Sequence, residues 1–302
     1  GKIMKKIKLL LCLFMLTTLC GCSNSNKNES SKTLNAAMFW ISTSLDPTNN
    51  YDGWVLSRIG VGETLLKLNE KYEVEPSLAK SYEQIDDTTW KLTLKDSITF
   101  SNGKKVTGEN VKACLERAFE KNTRAIDYFD LNHVEADKQD VYLYLNKSSG
   151  AILNNLCEPL FTIYDASQSE EDIANHPLCT GPFVVDDFVS EKTIDTSKNK
   201  KYYDGKAKLD HVHFSQVADS DARVLALQSG EVDLANTIDY SSLKLFRNNK
   251  DYQVLEVLGP RTNVIYMNNE TTFLSDLTIR KALSYSVDRK SIVKLIGGKE
   301  AT

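Results

Sequence analysis

The sequence predicts a mixed α and β protein with short connections and more than one lobe. Three observations carry this. Trp90, Leu92 and Leu94 alternate with Thr89, Lys91 and Thr93, the period of a half-buried strand. Asn102-Gly103 is a tight-turn signal, and Thr107 followed by Val111, Cys114, Leu115 and Ala118 reads as a capped helix with one apolar face. About 280 residues remain behind an N-terminal leader, enough for two domains.

The leader comes first. Lys2, Lys5, Lys6 and Lys8 precede an apolar run from Leu9 to Leu16, which fades into Leu19-Cys20-Gly21-Cys22. A membrane-spanning helix needs about 20 apolar residues, so this run is a secretion signal over residues 1–21, with Met4 read as its start. Leu-x-Gly-Cys resembles the lipobox of bacterial lipoproteins, which would make Cys22 the lipidated residue. A chance cysteine after an ordinary signal peptide is the alternative. Two acyl chains at roughly 0.8 kcal/mol per CH₂ would hold the mature chain to the membrane. Ser23 to Lys32 has no apolar residue, and residues 22–32 suit a flexible tether.

Composition then excludes some partners. The chain has 37 Lys and Arg against 41 Asp and Glu, and loss of the leader lysines makes the balance more acidic still. That argues against nucleic acid. Cys114, Cys157 and Cys179 remain for the folded part, an odd set at scattered spacing. They read as small buried apolar residues, with a Cys157–Cys179 bridge left open.

Along the body, Thr33 to Leu45 predicts a strand stopped by Pro47, with Asp46 capping the turn. Trp54 to Leu68 places apolar residues at helical spacing and predicts a helix, then a strand or turn. After the strand, turn and helix of Thr89 to Ala118, Val141 to Leu145 is another strand. Gly181-Pro182 forces a bend before a strand at Phe183, and Leu209 to Val217 reads as a strand. A helix follows, capped by Asp219 or Ser220 and stopped at Gly230, with Val224, Leu225 and Leu227 inward. Asp276 and Asp288 cap two more helices, the second closed by Gly297-Gly298.

Seven short motifs, read in order, resemble the family 5 extracellular solute-binding proteins. They are LDP (Leu45 to Pro47), FSNGKKVTGENV (Phe100 to Val111), TGPF (Thr180 to Phe183), KYYDGKAKLDHVHF (Lys201 to Phe214), SGEVD (Ser229 to Asp233), YMNN (Tyr266 to Asn269) and LTIRKALSYSVDRKSIV (Leu277 to Val293). The resemblance implies the periplasmic-binding-protein type II fold, two lobes with a hinge. Domain I would take residues 33–62 and 176–258, with domain II inserted at 63–175. A third domain would begin at 259–302, and its remainder is expected to be missing from a shortened chain.

It also implies a monomeric, lipid-anchored receptor that closes on a short peptide or a metal chelate and hands it to the permease subunits of an ABC importer. Neither cofactor nor resident metal is implied. The ligand residues of the third domain find no match here. The remaining candidates are Asn50, Tyr51, Asp52 and Trp54 after LDP, Arg124 and Tyr128 from domain II, and Arg261 and Asn263 on strands that would cross between lobes. A crevice is expected between the Asn50 loop and the Arg124 region.

In nickel-binding relatives an arginine and an aromatic cradle the carboxylates of a small chelator, and Arg124 and Tyr128 approximately match. A planar guanidinium suits carboxylates because it donates two parallel bonds. A second arginine of those relatives corresponds to Glu158, a charge reversal that would suit a cationic group such as a peptide amine. An exposed helix-end arginine is the alternative reading of Arg124. His211 and His213 share a strand face but lack a third ligand nearby, so they read as a surface pair. Tyr202-Tyr203 is expected to pack between lobes.

A surface hydrolase is the competing class. No Gly-x-Ser-x-Gly elbow, His-Glu-x-x-His pair or Walker loop supports it. A signalling receptor of the same fold is a further alternative.

Overall fold

The computed structural model describes residues 31–257, 259 and 263–296. The leader, Cys22, most of the tether, Arg261 and Gly297-Gly298 lie outside them. The chain divides between Lys32 and Thr33, and the unit from Thr33 onward is described below.

β1 (Thr33–Met38) enters the core through Ala36, Ala37 and Met38. The strand ends at Met38, well short of the expected Leu45: the next amide, that of Phe39, donates to the Asn236 side chain at 3.0 Å, and the chain runs irregularly to the Asp46 turn, where the Asp46 carboxylate accepts from the Thr48 amide at 2.9 Å and its hydroxyl at 2.8 Å. α1 (Gly53–Arg58) stops well short of Leu68. The reason is local: Gly60 sits at φ +70, a left-handed conformation that ends a helix, and the amides of Val61 and Gly62 turn back to the Leu56 carbonyl. β2 (Leu66–Leu68) and β3 (Val74–Pro76) then pair antiparallel.

β4 (Ala79–Gln84) leads to β5 (Thr89–Leu94), where Leu92 and Leu94 are buried and Trp90 half-buried, as the alternation predicts. At the Asn102-Gly103 turn, Gly103 adopts φ +91 and its amide donates to the Phe100 carbonyl. Thr107 caps α2 (Gly108–Lys121), with Asn110 Oδ1 accepting from its amide at 2.9 Å. Val111, Cys114, Leu115 and Ala118 are all buried on the inner face. α3 (Ala125–Tyr128), β6 (Leu131–Asp137) and β7 (Asp140–Leu145) follow, and the four strands form an antiparallel sheet in the order β4-β5-β7-β6. The chain returns through α4 (Ile152–Asn155), a 3₁₀ turn at Pro159–Phe161 and α5 (Glu170–Asn175).

β8 (Phe183–Val189), β9 (Thr193–Lys198) and β10 (His211–Gln216) join β1 in a second sheet of order β11-β1-β10-β9-β8. β1 runs parallel to β10 and to β11 (Leu234–Ala235), the rest antiparallel. α6 (Ser220–Ser229) is capped by Asp219 and ends at Gly230, φ +74. Leu225 is not inward but 66% exposed. At about 100° per residue, Arg223, Val224, Ala226 and Leu227 share one side and Leu225 falls opposite. The inward place goes to Arg223, 2% exposed, which donates to the carbonyls of Val217, Ala218, Asn236 and Thr237.

α7 (Lys244–Arg247), α8 (Leu277–Ser286) and α9 (Arg289–Ile296) complete the described residues, the last two capped by Asp276 and Asp288. The strands expected from Arg261 to Met267 do not form over the described part. Residues 263–267 pair with no strand among the described residues, and Ile265 and Tyr266 are 74% and 93% exposed. Cys114, Cys157 and Cys179 are free thiols, so the Cys157–Cys179 bridge is absent. Burial pushes the Cys114 thiol up to about 12 and that of Cys157 to about 11, which makes both poor nucleophiles. No helix among the described residues is long and apolar enough to cross a membrane.

Candidate ligand-binding site

Two segments far apart in sequence build one polar and aromatic patch. The first is the loop after Pro47. Arg117 on α2 holds its start: the guanidinium reaches both Asp46 oxygens at 2.8 and 2.7 Å, and also Thr48, Tyr164 and Glu170. This pairing, with bonds from Thr48, keeps the Asp46 carboxyl below its ordinary range in spite of burial.

Asn122, at the end of α2, holds the rest. Its side-chain amide donates to the carbonyls of Thr48 and Asn50, both at 3.0 Å, and its Oδ1 accepts from the Arg124 amide at 3.0 Å. Asn50 adopts φ +45, a conformation asparagine tolerates better than most residues.

Arg124 lies across this loop. One terminal nitrogen donates to the Asn50 carbonyl at 2.9 Å, the other to the Tyr128 hydroxyl at 2.7 Å. Its guanidinium carbon is 3.6 Å from the centre of the Tyr51 ring, a cation–π contact. The Asn50 loop and the Arg124 region are therefore in direct contact, and the crevice expected between them is absent.

The second segment is the 3₁₀ turn after Glu158. α1 packs on it so closely that a Cβ on Gly53 would lie 2.4 Å from the Pro159 carbonyl oxygen. That approach brings Trp54 to Glu158, whose Oε1 accepts from the indole Nε1 at 2.9 Å. The Glu158 charge also acts on the Tyr128 hydroxyl. Burial, with the Glu158 charge adding to it, pushes that phenol up to about 12. Tyr128 itself is fixed edge-on against the Phe161 ring, 5.7 Å between centroids.

Of the expected ligand residues, Asn50, Tyr51, Trp54, Arg124, Tyr128 and Glu158 come together. Asp52 does not join them. It is 3% exposed and turns inward, where Asn49 Nδ2 donates to it at 2.6 Å. Burial, reinforced by the Asp46 charge, pushes its carboxyl up to about 6. Asn263 is exposed on the 263–267 stretch, and Arg261 is outside the described residues. Arg117, Asn122 and Gly53 were not legible as site-building residues. An arginine inside an apolar helix face, beside a buried Asp-Pro turn, is the signal that could have found Arg117.

Elsewhere, Tyr202 and Tyr203 donate to Glu63 Oε1 at 3.2 and 3.1 Å, while Thr180 donates to Oε2 at 2.7 Å. They are thus structural partners of a half-buried carboxylate. His213 Nδ1 lies 2.7 Å from Asp195, and no group of three or more His, Cys, Asp or Glu suited to a metal occurs among the described residues. An open groove of about 1060 Å³ runs along Leu234, Tyr240, Phe246 and Val257. None of the expected ligand residues lines it.

Known proteins resemble this chain in sequence and fold. The family described as bacterial extracellular solute-binding proteins, family 5 middle, matches residues 73–302. The nickel-binding protein NikA of Staphylococcus aureus (strain NCTC 8325 / PS 47) is 32% identical over 288 residues, 95% of this chain and 57% of that protein. The glutathione-binding protein GsiB of Escherichia coli O1:K1 / APEC is 28% identical over 247 residues, 79% and 48% of the two chains. A nickel ABC transporter structure from Bacillus halodurans superposes with a TM-score of 0.75 at 31% identity, covering 88% of this chain and 56% of that one. The chain spans about half the length of the curated relatives it matches.

Proposed function

Because the chain belongs to the bacterial extracellular solute-binding proteins of family 5, we propose that it is the solute-capturing receptor of an ABC importer, taking a short peptide or a metal chelate. The observation that carries this reading is the patch formed by Tyr51, Trp54, Arg124, Tyr128 and Glu158. It offers an arginine fork, a carboxylate and two exposed aromatic rings, Tyr51 at 55% and Trp54 at 38%, on one surface. Such a surface binds by hydrogen bonds, charge and ring contact.

The two chemistries differ in what they ask of it. A nickel chelate, as for NikA, would present carboxylates to Arg124. A peptide, as for GsiB, would also present an amine, which Glu158 suits. Capture by domain closure fits a domain I of residues 33–62 and 176–258 with domain II at 63–175, and a third domain starting at 259–302. The five-stranded sheet is drawn from the first two ranges and the four-stranded sheet from the insertion, which supports that division. The basic and apolar leader ending at Cys22 supports a lipid anchor on the outer face of the membrane.

Calorimetric titration with peptide pools and with nickel–amino-acid chelates tests the proposal. Saturable heat with one class, and recovery of that solute unaltered, is expected. No heat with either class refutes it.

A further inference from the structure

One strongly basic segment has no part in the solute patch. Residues 198–208 carry Lys198, Lys200, Lys201, Lys206 and Lys208 against the single acid Asp204, in a chain of 37 Lys and Arg against 41 Asp and Glu. The segment closes one end of the five-stranded sheet. Thr33 at the start of β1 pairs with His211 at the start of β10, His211 with Ser197 in β9, and Phe183 at the start of β8 with Lys198. Side chains pin the segment to the body. Asn199 donates to the Gly181 carbonyl at 2.8 Å, Lys201 to the Asn102 carbonyl at 2.6 Å, and Tyr202 and Tyr203 to Glu63. Lys198 is paired with Asp210.

Lys200, Lys206 and Lys208 are left to face water. They are exposed, and none has a side-chain hydrogen bond or ion pair among the described residues. Gly205 sits between them at φ +95, with no heavy atom within 4 Å of where its Cβ would be. The Lys201 bond also draws in the turn after Asn102, whose Lys105 is likewise exposed and unpaired among the described residues. Such a surface suits a broad anionic partner. It offers lysines alone, without an arginine fork or an exposed large apolar side chain to fit a shaped surface.

We propose that this end of the sheet docks on an anionic phospholipid bilayer, with Lys105, Lys200, Lys206 and Lys208 against the lipid phosphates. The proposal goes beyond the solute patch and rests on the lipid-anchor reading above. The same sheet end receives the chain from Cys22. β1 starts there at Thr33, and the eleven residues from Cys22 to Lys32 span at most about 40 Å when fully extended. A lipid on Cys22 therefore keeps these lysines at high effective concentration near the bilayer, where weak contacts suffice. Each lysine brought to an anionic surface strengthens association about fivefold, an effect that fades within about 10 Å. A soluble acidic partner gains nothing from the tether.

The test mixes the full chain with vesicles of phosphatidylcholine, or of phosphatidylcholine and phosphatidylglycerol in equal parts. Lysines are then acetylated briefly and followed one by one by mass spectrometry. Because the leader itself binds lipid, the readout is the rate at single lysines rather than total binding. Acetylation of Lys105, Lys200, Lys206 and Lys208 is expected to slow at least about twofold with the anionic vesicles only, and to recover as salt screens the contact. Lys250 and Lys281, exposed on other elements, should not change. Lys200→Gln, Lys206→Gln and Lys208→Gln together should abolish the protection of Lys105 and leave the melting temperature unaltered.

Equal rates with the two vesicles overturn the surface, as does slowing spread evenly over Lys250 and Lys281, or unchanged protection of Lys105 in the triple variant. Slowing by soluble glycerol phosphate alone would mean a small-anion site, and it also overturns the bilayer surface. Incorporation of labelled palmitate at Cys22 in cells judges the anchor separately. Acylated Cys22 with no protection overturns the surface and leaves the anchor standing. Protection in a chain that cells never acylate supports the surface and refutes the anchor.

Discussion

Arg117 closes both terminal nitrogens of its guanidinium on the carboxylate of Asp46, and the pair lies almost wholly out of water, with side chains 10% and 12% exposed. It stitches α2 to the loop that carries Asn50 and Tyr51. Removing one member of such a pair leaves the other as an uncompensated buried charge. Arg117→Met is expected to lower unfolding stability by about 3–5 kcal/mol in urea denaturation. Adding Asp46→Asn should recover part of that loss, and strict additivity of the two changes would show that the pair is not coupled.

Asp52 gives the chain a stability that falls as pH rises. Its folded carboxyl is pushed up to about 6 from an ordinary value of 3.8, so the native state holds a proton that the unfolded state has released. Its contribution to stability is complete below pH 3.8 and is lost as pH rises through about 6. Asp52→Asn should therefore match the parent near pH 3.5 and exceed it by about 1–3 kcal/mol at pH 7. Thermal melts across that window read the difference. A constant offset at all pH values would refute the assignment to Asp52.

Gly53 is where α1 meets the turn that carries Glu158, and an added methyl would strike the Pro159 carbonyl. Gly53→Ala should cost about 1–3 kcal/mol, although alanine is the better helix former. It should also separate Trp54 from Glu158, visible as a change in Trp54 emission. A neutral or stabilising effect would mean the contact is looser than 2.4 Å implies.

Arg223 satisfies four carbonyls at the edge of the five-stranded sheet. Arg223→Met should cost about 3 kcal/mol or more, because buried acceptors are left without donors. Faster amide exchange in β11 and in the Val217–Ala218 turn would accompany the loss, and unaltered exchange there would contradict this role.

Much of the fold was legible because local chemistry and tertiary packing agree. The alternation at Trp90–Leu94, the Asn102-Gly103 turn, the Thr107 cap and the Asp219, Asp276 and Asp288 caps each need only neighbouring residues to act. The failures come where distant partners decide. The apolar spacing extends α1 too far because leucines continue past Gly60, yet Leu65 and Leu66 are buried beyond its end, Leu66 in a strand. Residue type alone places Leu225 inward, whereas it is exposed and Arg223 takes the inward place with four acceptors beneath the helix. Six candidate residues of the site do meet, but a one-dimensional reading could not see that Asp52 turns inward or that Arg117, Asn122 and Gly53 hold the patch in shape.

The central claim is that a solute seats on the patch formed by Tyr51, Trp54, Arg124, Tyr128 and Glu158. The chain has three tryptophans, Trp40, Trp54 and Trp90, so the W40F/W90F protein reports on Trp54 alone. Titrating it with the solute found by calorimetry should shift Trp54 emission saturably, at the calorimetric affinity, and Arg124→Ala should abolish the response. Undiminished binding with Trp54 emission unmoved would place the solute elsewhere and contradict the account.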